Sequence, residues 1–269
     1  MKRIINSILA AVFASALMLA CTNDDVEPVG THDKNSVTLE FDNRVGAQKM
    51  ALGNTTYKNA SGEEFTLTRF NYFISNVALK KADGTVVKFP DQYFLIRQSD
   101  PTSWEPELKD VPAADYSEIS FTIGVDSTRS VSDISARTGV LDPTSYGDDG
   151  MYWSWNSGYI FVKMEGTSPV VPLNSAGKRA FELHIGGYGG REATAPNNLR
   201  SVTLPLNGTA MVRKDIAPTI HLVADFMKVF DGPNTIKLAE TNSVHNPAVA
   251  GPIADNYMKM FVVDHVHND

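Results

Sequence analysis

The 269-residue sequence has only one cysteine and lacks the sequence motifs that usually mark enzymes. Its single cysteine, Cys21, excludes a disulfide within one molecule. No CxxC, HExxH or GxSxG motif occurs. The sequence therefore gives no indication of a thiolate metal site, a zinc protease or a serine hydrolase. Neither a nucleophile beside a base nor a glycosidase-like pair of carboxylates can be identified. We therefore expect a protein that is not an enzyme.

Clusters of basic residues are also absent. The chain has 24 lysines and arginines against 31 aspartates and glutamates, which gives a formal net charge of −7. Binding to nucleic acid depends on clustered positive charge that neutralises phosphates, so no nucleic-acid partner is expected. The same deficit disfavours binding to anionic lipid headgroups through charge alone.

The first 20 residues have the pattern of a secretory signal peptide. Lys2 and Arg3 precede an apolar run over residues 4–20, which is too short and too interrupted to span a bilayer. The run ends in the sequence LMLAC over residues 17–21, which resembles the lipobox of bacterial lipoproteins. We therefore expect the signal to be removed and Cys21 to carry a lipid that attaches the protein to the membrane.

An acidic tether follows the signal peptide and covers residues 21–35. Its segment 22–27 (TNDDVE) resembles the export signal of Bacteroidetes-type lipoproteins that reach the cell surface. Acidic, polar segments of this kind remain flexible in solution, so we expect His32 to be solvated. The sequence predicts an outer membrane lipoprotein and leaves open whether it faces the periplasm or the cell surface.

Residues 36–269 predict a single all-β domain. Short segments such as residues 37–41 alternate apolar and polar side chains, as half-buried strands do. Residues 65–70 and 72–79 are expected to form two paired strands, and residues 131–138 one short helix. This pattern indicates an antiparallel β-sandwich with Greek-key connections and at most short helices. The predicted core includes Phe70, Phe73, Val77, Leu79, Phe121, Ile123, Phe161 and Val202.

Two segments carry the strongest functional signal. Residues 151–159 (MYWSWNSGY) place Trp153 and Trp155 one residue apart, and residues 181–186 (FELHIG) place His184 inside a strand. Neutral imidazole is the commonest transition-metal ligand, so these segments would form an aromatic-walled metal site if they lay side by side. A surface histidine without any ligand is the simpler alternative for His184.

Four more histidines are candidate metal ligands. His265 and His267 lie two residues apart in a C-terminal strand, so both rings should be on the same face of that strand. Solvated histidines are an equally good interpretation of such a polar, near-terminal strand. His221 lies in a strand and could instead be a core residue, whereas His245 lies in a polar loop, where functional residues are common.

With these motifs the chain resembles the MbnP-like copper-binding proteins, which are secreted or surface proteins linked to copper handling in methane-oxidising bacteria and found widely in Bacteroidetes. The resemblance implies a β-sandwich that binds one copper ion through histidines, beside a tryptophan that can be oxidised to kynurenine. That oxidation is attributed to a MauG-type dihaem partner. The resemblance makes His184 the best-supported ligand and makes Trp153 or Trp155 the kynurenine precursor.

The leading hypothesis is a lipid-anchored, non-enzymatic protein that captures or presents copper at the outer membrane. One neutral imidazole alone seldom holds copper selectively, so His184 needs at least one more histidine as a partner. The expected order of preference for that partner is His265 or His267, then His221, then His245.

Two other functions are compatible with the sequence. Trp153, Trp155 and Tyr159 could form an exposed platform for stacking on a cell-surface glycan or peptide. The same tryptophans could also be buried in a structural module that has no ligand. Burial of the aromatic side chains in the folded protein distinguishes these alternatives.

Overall fold

Strands dominate the computed structural model, whose described residues are 30, 32–154, 158–190 and 194–269. The predicted signal peptide, most of the predicted acidic tether with Cys21, and Trp155 lie outside the described residues. The strands are β1 (Lys34–Val45), β2 (Gln48–Lys49), β3 (Tyr57–Lys58), β4 (Glu64–Lys81), β5 (Val86–Phe89), β6 (Phe94–Arg97), β7 (Glu107–Pro112), β8 (Ala114–Ile123), β9 (Tyr152–Trp153), β10 (Gly158–Thr167), β11 (Ala180–Gly186), β12 (Arg200–Val212), β13 (Thr219–Asp225), β14 (Ser243–Val244) and β15 (Phe261–His267).

The helices are short. The α-helices are α1 (Ser127–Ser130) and α2 (Gly251–Tyr257), and 3₁₀ segments cover Pro101–Ser103, Ile134–Ala136, Gly139–Leu141, Pro143–Asp149, Phe226–Val229 and Pro247–Val249. In the part of the chain that the structure describes, none of the helices has the length and apolar character needed to cross a bilayer.

Within the described residues the strands form two sheets that pack against each other. The smaller sheet has the order β15-β13-β1-β2, and β7 also pairs with β1. The larger sheet has the order β12-β8-β4-β10-β11-β14, and the short strands β3, β5, β6 and β9 pair with β4 or β10. This two-layer arrangement confirms the all-β sandwich expected from the alternating pattern.

Alternation along the strands places the main core between the two sheets. In β1, for example, Leu39 and Phe41 are buried, and Glu40 between them is half-buried. Phe261 of the smaller sheet lies 5.2 Å from Phe121 and 5.6 Å from Tyr72 of the larger sheet, measured between ring centroids. All eight core residues predicted from the sequence are buried.

The outer face of the larger sheet is partly covered by the 3₁₀ segments over residues 139–149. Tyr146 of this cover lies 6.2 Å from Phe73 of β4 between ring centroids. Tyr159 of β10 donates a hydrogen bond to the carbonyl oxygen of Leu141 at 2.7 Å. The cover therefore shields aromatic side chains on the face opposite the main core.

Three expectations about the elements are corrected by the structure. The sandwich is mixed rather than wholly antiparallel, because β1 runs parallel to β13 and β11 runs parallel to β14. Residues 65–70 and 72–79 belong to the single long strand β4, which pairs with β10 along its first half and with β8 along its second. Residues 131–138 contain only a 3₁₀ turn, and the nearby helix α1 ends before them.

Candidate metal centres

The structure divides the five candidate histidines into two groups. His184 and His245 lie with Glu182 at the β11–β14 end of the larger sheet, in a group that we call the β11 site. The second group, on the smaller sheet, is called the β15 site and consists of His221, His265 and His267. In each group the potential ligand atoms all lie within 4.8 Å of one another.

Two strand features bring the β11 site together. Glu182 and His184 are two residues apart in β11, so both side chains point to the outer face of the larger sheet. Strand β14 runs parallel to β11 with Val244 opposite Leu183, which places the next residue, His245, beside His184. The pairing joins segments far apart in the sequence, so no local pattern indicates it.

The two imidazoles of the β11 site are close and nearly perpendicular. Their ring centroids are 4.5 Å apart with an angle of 80° between the ring planes. His245 Nε2 lies 3.2 Å from Glu182 Oε2. His184 is buried, and its Nε2 donates a hydrogen bond to Glu165 Oε1 at 2.8 Å. In this tautomer Nδ1 of His184 keeps its lone pair and can bind a metal ion.

Glu165 orients His184 and is itself stabilised by positive charge. Burial raises the pKa of Glu165, but the hydrogen bond from His184 and the charges of Lys163 and Arg69 outweigh burial and lower that pKa to about 2. Burial lowers the pKa of His184, so its imidazole is neutral at pH 7. A neutral imidazole that donates to a carboxylate is the usual state of a metal-binding histidine.

Replacing Glu165 with glutamine is expected to reduce the free energy of unfolding by about 1–2 kcal/mol at pH 7, because the charge in this partly buried network is lost. The pKa of Glu165 is about 2 in the folded protein and 4.5 ordinarily. Its contribution is therefore complete above pH 4.5 and is lost as the pH falls towards 2. Urea unfolding of the parent and of Glu165→Gln between pH 2 and pH 4.5 measures the effect. Glu105→Gln is the control, because Glu105 is exposed and its loss should not change this pH dependence. A difference that stays constant down to the lowest pH would contradict this account.

Trp153 lies beside the β11 site. It is buried in the hairpin of β9 and β10. A Cβ atom added at Gly186 would lie 2.6 Å from Cζ3 of Trp153, so the indole packs directly on that glycine. Gly186 and His184 are two residues apart in β11 and face the same side of the sheet. The two segments singled out in the sequence therefore do lie side by side.

A buried amide lies in the same row of the larger sheet. Asn71 of β4, Lys163 of β10 and His184 of β11 are aligned across the three strands. The carboxamide nitrogen and oxygen of Asn71 have no hydrogen-bond partner within the described residues. A buried amide without partners costs about 1–3 kcal/mol, which a bound polar group or water would relieve. Asn71 therefore adds a polar side chain with free bonding capacity to the surroundings of the β11 site.

The order of preference for the partner of His184 is corrected by the structure. His184 lies beside His245, the last histidine in the expected order, because β14 rather than β15 is the neighbour of β11. His221 is not a core residue, since it is half-buried on the outer face of β13. Its Nδ1 lies 2.9 Å from Glu40 Oε2. His265 and His267 do share one face of β15, as their spacing predicted.

Trp153 and Tyr159 do not form an exposed stacking platform. Trp153 is only 5% exposed and Tyr159 is fully buried. The ring of Tyr159 packs edge-on against Tyr152, with 5.1 Å between the ring centroids. Side chains buried in this way cannot stack on a sugar or a peptide from solution. The third aromatic residue of that hypothesis, Trp155, lies outside the described residues.

Sequence reasoning missed Glu165, Lys163 and Asn71. The signal for the first two was present, because they alternate with the core residues Val162 and Met164 in an otherwise apolar strand. Charged residues inside such a run are costly to bury unless they are paired, and therefore indicate a polar site on that face. Asn71 carries no comparable signal, since its role depends on its neighbours in other strands.

The donor set of the β11 site fits copper. Two imidazoles and a carboxylate suit copper, zinc and related first-row ions. The only cysteine in the sequence is Cys21. Residues 30–269 therefore offer no thiolate, the ligand that would favour a cluster of soft metal ions or a structural zinc site. His184 and His245 therefore can hold a copper ion with Glu182 as a third ligand.

Comparisons with known proteins identify the family. The family model MbnP matches residues 34–246. The solved structure of MbnP from Methylosinus trichosporium has the same fold, with a TM-score of 0.53 and 14% sequence identity. That alignment covers 88% of this chain and 99% of the other. No curated protein sequence matches the chain. Because the family model covers most of the sequence, the chain belongs to the MbnP family, and this membership indicates a copper-related function.

Proposed function

We propose that this protein binds a copper ion at the β11 site through His184 and His245, with Glu182 as a third ligand. The observation that carries the proposal is the convergence of the two imidazoles, 4.5 Å apart between ring centroids, beside a buried tryptophan. All of these residues lie within the segment that matches the family model. The protein acts as a carrier that captures or presents copper and has no catalytic activity of its own.

The surroundings of His184 support this proposal. Burial lowers the pKa of His184, so a metal ion does not have to displace a proton from the ring at neutral pH. The hydrogen bond to Glu165 fixes the ring orientation and raises its basicity as a ligand. Groups in this position typically change metal affinity about 10–100-fold when they are removed.

Trp153 is the indole that we propose as the kynurenine precursor. It lies on the same face of β11 as His184, against Gly186. The oxidation needs an external oxidant, for which a MauG-type dihaem enzyme is the proposed partner. Trp155 remains the alternative precursor. Intact mass spectrometry and peptide mapping of protein from the native host measure this modification.

The proposed location is the outer membrane, with the lipid on Cys21 as the anchor. The supporting evidence is the signal-peptide-like pattern of the first 20 residues and the lipobox-like residues 17–21. The acidic segment between Cys21 and the start of β1 at Lys34 would link the lipid to the domain, which would face either the periplasm or the cell exterior. The same intact mass measurement reports the lipid, because diacylglyceryl modification adds a defined mass.

Calorimetric and competition titrations with Cu(I) and Cu(II) test the proposed function. The detergent-solubilised full-length protein, without a polyhistidine tag, should carry His265→Ala and His267→Ala so that only the β11 site is measured. We expect a Kd below about 10 μM, which corresponds to roughly −7 kcal/mol. His184→Ala should weaken binding at least about 100-fold, since a buried ligand is lost.

The matched control is His32→Ala, since His32 is an exposed histidine. It should leave copper affinity unchanged. The proposal is wrong if the parent binds neither oxidation state more tightly than about 10 μM. It is equally wrong if His184→Ala and His245→Ala both bind copper as tightly as the parent.

A further inference from the structure

We propose that the β15 site is a second, separate metal site that takes a divalent transition-metal ion of the Zn²⁺ or Cu²⁺ class through three imidazoles. Two of its ligands, His265 and His267, lie beyond residue 246, where the family match ends. The site is therefore argued from this chain alone, and it stands whether or not copper binds at the β11 site.

A β-bulge builds the site. His221 of β13 pairs with His265 of β15, whereas Leu222 pairs with Val263, so Asp264 is an extra residue in β15. Val263 is buried and points to the core. Strict alternation from Val263 would turn the two following histidine side chains into the core, and the bulge turns them outward instead. Bulges that re-aim side chains in this way are common next to functional sites.

The three rings converge on the outer face of the smaller sheet. The ring centroid of His221 lies 4.1 Å from that of His265 and 4.9 Å from that of His267. The Nε2 atoms of His265 and His267 are 2.9 Å apart. At a tetrahedral ion with metal–nitrogen bonds of about 2.0–2.1 Å, two ligand nitrogens lie roughly 3.3 Å apart. This short contact is a hydrogen bond in which Nε2 of His267 donates to Nε2 of His265, so an ion enters after a small outward movement of the exposed side chains and a shift of the His267 proton to Nδ1.

Carboxylates contact the Nδ1 atoms of two of the three imidazoles, on the side away from the proposed metal position. The Nδ1 of His265 donates to Asp264 Oδ2 at 3.0 Å. The Nδ1 of His221 lies 2.9 Å from Glu40 Oε2, and Glu40 is opposite His221 in the adjacent strand β1. A carboxylate on Nδ1 directs the lone pair of Nε2 towards the metal and is the usual support of a metal-binding histidine. The two negative charges also attract a cation.

The donor set selects the class of ion. Three imidazoles suit Zn²⁺ and Cu²⁺, and they lack the thiolate or thioether that favours Cu(I). Zinc sites with three protein ligands keep a fourth position open for water or another ligand. His265 and His267 are exposed, so the open position faces solvent. The ion would join β15, the edge strand of the smaller sheet, to β13.

Calorimetric titration with ZnCl₂ tests the site. The full-length protein in detergent, without a polyhistidine tag, carries His184→Ala and His245→Ala so that the β11 site is removed. We expect one Zn²⁺ per molecule with a Kd below about 10 μM. His265→Ala and His267→Ala, added singly, should each weaken binding at least about tenfold, because each removes one of three ligands. The control Val262→Ala changes an exposed residue of the same strand and should have no effect.

Two results would overturn the proposal. One is the absence of Zn²⁺ binding in the parent that lacks His184 and His245. The other is binding that survives both His265→Ala and His267→Ala at the parental affinity, which would place the ion elsewhere. Since both histidines are exposed, these variants are expected to fold, and circular dichroism of each confirms that a loss of binding is not a loss of structure. Because the β11 site is removed in this experiment, its result is independent of the copper proposal.

Discussion

Truncation of Phe121 to alanine is expected to lower the free energy of unfolding by about 3–5 kcal/mol. Phe121 is 1% exposed on β8 and lies edge-on to Phe261 of β15, with 5.2 Å between the ring centroids. It therefore joins the larger sheet to the smaller one. Removal of the ring loses the buried apolar surface and leaves a cavity between sheets that cannot close without moving strands.

Urea unfolding measured by circular dichroism gives this value directly. The control is Val86→Ala, a substitution at a strand position that is 49% exposed. It should change the free energy of unfolding by no more than about 0.5 kcal/mol. A loss of less than about 1 kcal/mol in Phe121→Ala would mean that the two sheets do not pack through this aromatic cluster.

The fold could be predicted from the sequence to the extent that it depends on alternation. Apolar residues recur at every second position around Phe121 and Ile123, which predicts that both belong to the core, and both are buried. The parallel pairing of β1 with β13 could not be predicted in the same way. It depends on which distant segments meet, and a strand that pairs in either direction shows the same alternation.

In the candidate sites, too, the features that depend on spacing within one strand could be predicted, and those that depend on the pairing of strands could not. The shared face of His265 and His267 follows from their spacing within one strand, and the structure confirms it. The proximity of His184 and His245 depends on a two-residue parallel strand, β14, that is too short to show a periodic pattern. The outward orientation of the C-terminal pair depends on the bulge at Asp264, which changes the phase of alternation at a single residue.

Glycine at position 186 is the point where the fold and the β11 site constrain each other. A Cβ atom there would lie 2.5 Å from the backbone oxygen of Tyr159 and 2.6 Å from Cζ3 of Trp153. Neither neighbour can move freely, since Tyr159 belongs to the paired strand β10 and Trp153 is buried. Only glycine therefore allows β10, β11 and the indole to approach this closely.

Gly186→Ala is accordingly expected to destabilise the protein by about 3 kcal/mol, at the upper end of the usual cost of overpacking. It should also weaken copper binding, because the displaced strand carries His184 two residues away. Urea unfolding and copper titration of the same variant measure the two effects. The control is Gly208→Ala, since an added Cβ there has no neighbour within 4 Å. It should be neutral or stabilise by up to about 1 kcal/mol through the unfolded chain. If Gly186→Ala proved as stable as that control, Trp153 would not be packed against β11, and the assignment of its indole to the proposed copper site would fail.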